Sequence, residues 1–145
     1  MVVLVTGSSK GIGYQIASDL LDQGHDLVLH CNRNKSSLEG LLSAYKSNSV
    51  IIQADLSSYN DIKKLVDETI NKLSFPDCVI NNAGIAESAD ISLDIEEWDK
   101  MFDKTISVNL KAPGLIFKEF IKYKRKNKIK TRLRFINISS RAAFR

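Results

Sequence analysis

Val2-Val3-Leu4-Val5-Thr6-Gly7-Ser8-Ser9-Lys10-Gly11-Ile12-Gly13 puts a short apolar run directly before three spaced glycines. The β-branched and leucine residues of positions 2 to 5 read as a strand buried on both faces. From Gly11 the spacing turns helical, with Ile12, Ile16, Leu20 and Leu21 on one face and Gly24 as the stop. Glycines between a strand and a helix allow a tight turn and bring backbone N–H groups close to the positive helix end, where a pyrophosphate can sit. Gly7, Ser9, Lys10, Gly11, Ile12 and Gly13 are therefore the candidate residues of a nucleotide-binding loop.

The same alternation continues down the chain. Leu27 to Cys31, Val50 to Ile52, Cys78 to Ile80 and Phe135 to Ile138 are further apolar runs of strand length. Between them lie helical patterns: Leu38, Leu41, Leu42 and Tyr45, then Ile62, Leu65, Val66, Thr69 and Leu73 after a serine cap at Ser57 or Ser58. A long helix is expected from about Ile95 into a lysine cluster, with Pro113 kinking or interrupting it. Strands alternating with helices imply right-handed βαβ units and a doubly wound parallel α/β sheet covered on both faces. The expected strand order is 3-2-1-4-5, with ligands at the carboxyl ends near the switch between strands 1 and 4.

The 145 residues suit one domain, and 43% hydrophobic with 26% charged residues exclude a disordered chain. No apolar run approaches the roughly 20 residues of a membrane-spanning helix, so no membrane partner is expected. Cys31 and Cys78 sit inside apolar runs and read as buried thiols of a reducing, cytoplasmic compartment. The net charge of +4 is local: nine of the 21 basic residues lie between Lys118 and Arg134, leaving 12 bases against 16 acids elsewhere. That cluster holds only two aromatics, Phe120 and Tyr123, which fit the helix's own apolar pattern, and no nucleic-acid motif accompanies it. It reads as a solvated helix end rather than a nucleic-acid site, and nothing in the sequence suggests a metal site.

The loop spacing is T-G-x-x-x-G-x-G, and Asn81-Asn82-Ala83-Gly84 follows the fourth strand. With Asp55-Leu56 after the third strand, Asn109 in Val108-Asn109-Leu110, and Ile136-Asn137-Ile138-Ser139-Ser140 at the fifth, this resembles the short-chain dehydrogenase/reductase family along the whole chain. The overall look is similar to 3-oxoacyl-carrier-protein reductases and their relatives. The resemblance implies a Rossmann-like domain over residues 1–145 and an oxidoreductase moving hydride between a nicotinamide and a carbonyl or hydroxyl substrate. It further implies that Asp55 and Leu56 flank the adenine, and that Asn82, Ala83 and Gly84 line the route to the nicotinamide ribose. In Asn109 it implies a catalytic residue holding a helix distortion and a proton-relay water, and in Ser140 the catalytic serine that orients the substrate oxygen. A dimer or tetramer of the full-length form through the long helix is implied as well.

Some of these residues have plainer readings. Asp55 can serve as a helix N-terminal acid. Asn109, expected on the buried face of the long helix with Phe102 and Ile106, can be a structural amide. The cofactor's identity can be read from charge. An NAD enzyme of this fold needs an acid about 20 residues beyond the loop, yet none lies between Leu27 and Leu38. Instead Asn32-Arg33-Asn34-Lys35 follows the second strand, where Arg33 can pair with a 2′-phosphate and Lys10 adds charge. NADP(H) is the expected cofactor.

The family's Tyr-x-x-x-Lys should follow Ser140 by about a dozen residues, beyond Arg145. Tyr59-Asn60-Asp61-Ile62-Lys63 has the spacing but opens the helix after the third strand, at the adenine end. The expectation is a domain incomplete at its C-terminus and inactive by itself. The alternatives are a non-catalytic NADP-binding module and one half of a split enzyme.

Overall fold

Strand β1 (Val2–Val5) stands at the centre of a parallel sheet, with Val3, Leu4 and Val5 all buried. The computed structural model describes residues 1–86 and 90–140. On one side of β1 lie β2 (Asp26–Cys31) and then β3 (Val50–Gln53); on the other lie β4 (Cys78–Asn81) and β5 (Arg134–Asn137). The order β3-β2-β1-β4-β5 is the one expected, and Val5 pairs with Leu29 on one flank and Ile80 on the other. Every strand starts and ends within a residue of its apolar run, because a strand buried on two faces must be apolar at both alternating positions.

The alternation divides the core. Leu4, Val28, Ile52 and Val79 point to the face covered by α3 (Tyr59–Lys72) and α5 (Ala112–Lys126), where Phe120 and Ile116 are fully buried. Val3, Val5, Leu27, Leu29 and Ile80 point to the face covered by α1 (Gly11–Asp22) and α2 (Ser36–Ser43). Each such large side chain contributes about 1.5–3 kcal/mol on burial. Ser58, not Ser57, caps α3 by accepting from Asp61 N–H, and Gly24 ends α1 in a left-handed conformation at φ 75°.

Three helical expectations are corrected. Helix α1 buries Gly13, Ala17 and Leu21, while Ile12 is 65% exposed. Its packing face combines Leu21 and the partly buried Ile16 and Leu20 with Gly13 and Ala17, small residues that give little hydropathy signal. Helix α2 stops before Tyr45, whose hydroxyl donates to the Asp22 carboxylate at 2.7 Å. The expected long helix is three pieces: α4 (Ile95–Ile106), a π-turn (Ser107–Lys111), and α5 with Pro113 in its first turn. The interruption precedes the proline. Pro113 has no N–H for the carbonyl four residues back, and the turn just before it is already widened, with Ala112 N–H donating to the Ser107 carbonyl five residues back. Helix α4 buries none of its residues.

Candidate functional site

The carboxyl ends of β1 and β4 are laced together under the glycine loop. Thr6 Oγ1 accepts from the N–H groups of Asn82 and Ala83, both at 3.0 Å. The Asn82 side-chain amide donates to the carbonyls of Thr6 at 3.0 Å and Gly7 at 3.1 Å. These contacts press the loop against the 82–84 segment so closely that a Cβ on Gly7 would stand 2.8 Å from Ala83 Cα. Gly7 also holds φ at 66°, a left-handed value that favours glycine. Gly13 meets the loop from the other side: its Cβ would stand 2.4 Å from the Gly7 carbonyl oxygen. The loop glycines are thus required by close approach as well as by turn geometry.

Beyond Gly7 the loop is open. Gly11 is left-handed at φ 59° with nothing within 4 Å of a built Cβ. No side chain caps α1, and its first turn holds no acid, whereas α3 and α4 carry both a cap and acidic residues. The first-turn N–H groups, including those of Ile12 and Gly13, are therefore placed to receive an anion. Lys10 is exposed at the N-cap position, and the Ser9 carbonyl accepts from Ser37 Oγ at 2.8 Å, which ties the loop to α2.

A groove of about 660 Å³ runs along the outer edge of β3, with Asn32, Arg33, Lys35, Ala54 and Asp55 among its walls. The Asp55 carboxylate accepts from both the N–H and the hydroxyl of Ser57, which holds its pKa below the usual carboxylate range. The positive charges of Lys104 and Arg33 act in the same direction. Leu56 faces inward at 5% exposure, its side chain packed in the core rather than in the groove wall.

Asn109 sits in the π-turn and is exposed, not on the buried helix face that the sequence pattern suggested. Its amide is nonetheless engaged at both ends: Oδ1 accepts from Ile85 N–H at 2.9 Å and Nδ2 donates to the Ile85 carbonyl at 2.8 Å. Phe102 and Ile106, the expected buried neighbours of Asn109, are themselves exposed, and from the π-turn the amide reaches the segment after Gly84. Across the β4–β5 pair, Asn81 Nδ2 donates to Asn137 Oδ1 at 2.8 Å, fixing the strand that leads to the exposed Ser139 and Ser140.

Tyr59 is disqualified by its surroundings. Its hydroxyl donates to the Glu119 carboxylate of α5 at 3.0 Å, and that bond and charge raise its pKa. A tyrosine exchanging protons near neutral pH needs the opposite shift.

One residue that sequence reasoning missed joins the site. His30, 2% exposed on β2, accepts from Gly7 N–H at Nδ1 (3.0 Å) and has Nε2 at 3.0 Å from the Ala54 carbonyl oxygen. A lone histidine in an apolar run gives no signal of what its two nitrogens will meet. Among the described residues, no group of three His, Cys, Asp or Glu side chains comes together to hold a metal ion.

The profile of the short chain dehydrogenase family matches residues 1–145. The chain belongs to that family. As a short-chain dehydrogenase it is similar to the NADPH-dependent pterin aldehyde reductase of Arabidopsis thaliana, 31% identical over 121 residues, which cover 82% of this chain and 49% of that protein. It is also similar to a 3-oxoacyl-(acyl-carrier-protein) reductase of Staphylococcus epidermidis, 29% identical over 107 residues, 71% of this chain and 44% of that protein. Among solved structures, a metagenomic short-chain oxidoreductase in complex with NADP superposes with a TM-score of 0.79 at 31% identity. That superposition covers 97% of this chain and 62% of the other. The chain spans about half the length of the curated relatives it matches.

Proposed function

We propose that this short-chain dehydrogenase chain is the nucleotide-binding part of an NADP(H)-dependent oxidoreductase acting on a carbonyl or hydroxyl substrate. The observation that carries the reading is the glycine loop, pinned at Gly7 yet open from Gly11 onward, together with Arg33 and Lys35 at the end of the groove that follows β2, where the sequence has no acid. The first-turn N–H groups of Gly11, Ile12 and Gly13 would hold the pyrophosphate. Arg33, with Asn32, Ser9 and Lys10, would hold the 2′-phosphate by charge-assisted hydrogen bonds. Asp55 and the Leu56 backbone would border the adenine, and Asn82, Ala83 and Gly84 the nicotinamide ribose. Bound NADPH would supply a hydride to a carbonyl carbon. Ser140 would orient the substrate oxygen, and Asn109 would hold the chain after Gly84 in place through Ile85. The Tyr and Lys of the proton transfer would come from outside these 145 residues, so the chain assayed alone is expected to bind nucleotide without turning over a carbonyl substrate. The relatives' substrates by name, a pterin aldehyde and a 3-oxoacyl-(acyl-carrier-protein), differ too much to nominate one here.

Arg33→Asp provides the test. Fluorescence titration should show NADPH affinity falling by on the order of a hundredfold, about 2–3 kcal/mol, while NADH affinity changes little. Equal losses for both nucleotides would sink the 2′-phosphate role.

A non-catalytic nucleotide-binding module remains the second reading, favoured by the engagement of Tyr59 with Glu119 in the one Tyr-x-x-x-Lys present. Restoration of carbonyl reduction by an added segment carrying the family's Tyr and Lys would eliminate it. Self-association is part of the proposal: Trp98, Phe102 and Ile106 of α4 and Phe117 of α5 are all more than a third exposed. The unpaired, buried thiols of Cys31 and Cys78 are consistent with a cytoplasmic setting.

A further inference from the structure

We propose that His30 is a positioning residue of the nucleotide site: its imidazole ties the left-handed Gly7 turn to the end of β3, and so sets the spacing between the pyrophosphate loop and the adenine wall. The inference rests on the nucleotide-binding reading above and adds a residue to it.

Backbone chemistry fixes the form of the ring. The Ala54 carbonyl can only accept, so Nε2 carries the proton; the Gly7 N–H can only donate, so Nδ1 is bare. A neutral ring with that one tautomer satisfies both partners. The main chain of the same residue adds two more ties, since the His30 carbonyl accepts from Ser8 N–H at 2.9 Å and Ser8 Oγ at 3.1 Å. Four hydrogen bonds thus run from one residue of β2, three to the loop and one to Ala54. On the far side, Asn82 Nδ2 holds the Gly7 carbonyl. The Gly7 residue is therefore clamped at both its N–H and its C=O, and His30 supplies the clamp on the N–H.

The placement has a functional consequence. Gly7 N–H is spent on His30, which fixes where the loop leaves β1 and hence where the uncapped N–H groups of α1 point. Ala54 directly precedes Asp55 on the groove wall. One ring spans the two walls between which the nucleotide would lie.

The test uses His30→Asn and His30→Gln in the 145-residue chain. An asparagine amide reaches the Nδ1 position and can still accept from Gly7 N–H; a glutamine amide reaches the Nε2 position and keeps only Ala54. Gly7 amide exchange without cofactor should stay within about threefold of wild type in His30→Asn and quicken on the order of tenfold in His30→Gln, the loss of one hydrogen bond. The dissociation constant for NADPH should follow the same order, on the order of tenfold weaker in His30→Gln, with circular dichroism unchanged. Nitrogen NMR of the wild-type ring, which needs no variant, should show the Nε2–H tautomer.

Gly7 exchange and NADPH affinity that do not separate the two variants overturn the positioning role, as does a ring protonated at Nδ1. Wild-type chain that binds no NADPH while Gly7 exchange still follows the ring overturns the nucleotide reading, and with it the role assigned to His30. The two failures are told apart by the exchange data alone.

Discussion

His30 shows how much one buried polar side chain can constrain. Burial holds its pKa below 6.5, outweighing the hydrogen bond to Ala54 and the nearby negative charge of Asp55, which both act upward. The unfolded chain returns the imidazole to about 6.5, so below that pH the unfolded state binds a proton that the native state resists. Stability from this group is complete above about 6.5 and is lost as pH falls from there toward the depressed native value. Urea midpoints measured between pH 8 and pH 5 should therefore drop on the acid side, and His30→Asn, with no titrating ring, should flatten that drop. An identical pH profile for wild type and His30→Asn would remove His30 as the source. Protonation would also set two N–H donors, Gly7 and Nδ1, against each other, so the loop is the part expected to loosen first.

At the scale of elements, the strands and the sheet order were legible because burial on two faces leaves a strand no choice but an unbroken apolar run. The helices were legible in existence and less so in orientation. Helix α1 packs through Gly13 and Ala17, whose small size lets it approach the loop, and a hydropathy pattern counts such residues as blanks. Ile12, which the pattern assigned to the core, is exposed beside the open loop. The π-turn at Ser107–Lys111 has no periodic signature either, and the α4 face of Phe102 and Ile106, which the pattern assigned to the core along with Asn109, is exposed. The loop glycines were legible because close approach and turn geometry demand them, whereas a residue that acts through partners remote in sequence, as His30 does with Gly7 and Ala54, was not. The packing difference between α1 and α2 can be measured. Gly13→Ala puts a Cβ 2.3 Å from Asn82 Nδ2 and 2.4 Å from the Gly7 carbonyl oxygen and should cost about 1–3 kcal/mol in urea denaturation, because the Gly7 backbone and the Asn82 amide bonded to it must both move. Gly40→Ala, in α2 with nothing within 4 Å, should gain about 0.5–1 kcal/mol from helix propensity. Equal effects at the two positions would mean that the close approach of α1 to the loop is not required.

For the molecule as a whole, the surface is larger than the core explains. The chain exposes 9214 Å², against roughly 7,500 Å² expected from the scaling of compact monomers of this size. Apolar residues account for the most conspicuous part: Ile95, Trp98, Phe102 and Ile106 on α4, Leu110 in the π-turn and Phe117 on α5. Trp98 and Phe102 stack on each other at 5.2 Å and remain 41% and 48% exposed. On α5, Gly114, Phe117 and Ile121 line a shallow groove of about 610 Å³ rimmed by Lys118, Lys122 and Arg125. The net charges of the two helices are opposite, since α4 carries Glu96, Glu97, Asp99 and Asp103 against Lys100 and Lys104, whereas α5 carries Lys118, Lys122, Lys124, Arg125 and Lys126 against Glu119. Two copies laid antiparallel would set the acidic α4 of one against the basic α5 of the other, the self-complementary patch that a twofold dimer requires. Two copies laid parallel would oppose like charges. The expected outcome is a dimer by sedimentation at about 50 µM chain, converted to monomer by Phe102→Lys combined with Phe117→Lys, each of which places a charge in the apolar contact. Raising salt to about 1 M, where the screening length is about 3 Å, should weaken the wild-type dimer without abolishing it, because the apolar part is not screened. A wild-type chain that stays monomeric would refute self-association through this face and leave the exposed α4 and α5 residues to be covered by polypeptide outside these 145 residues.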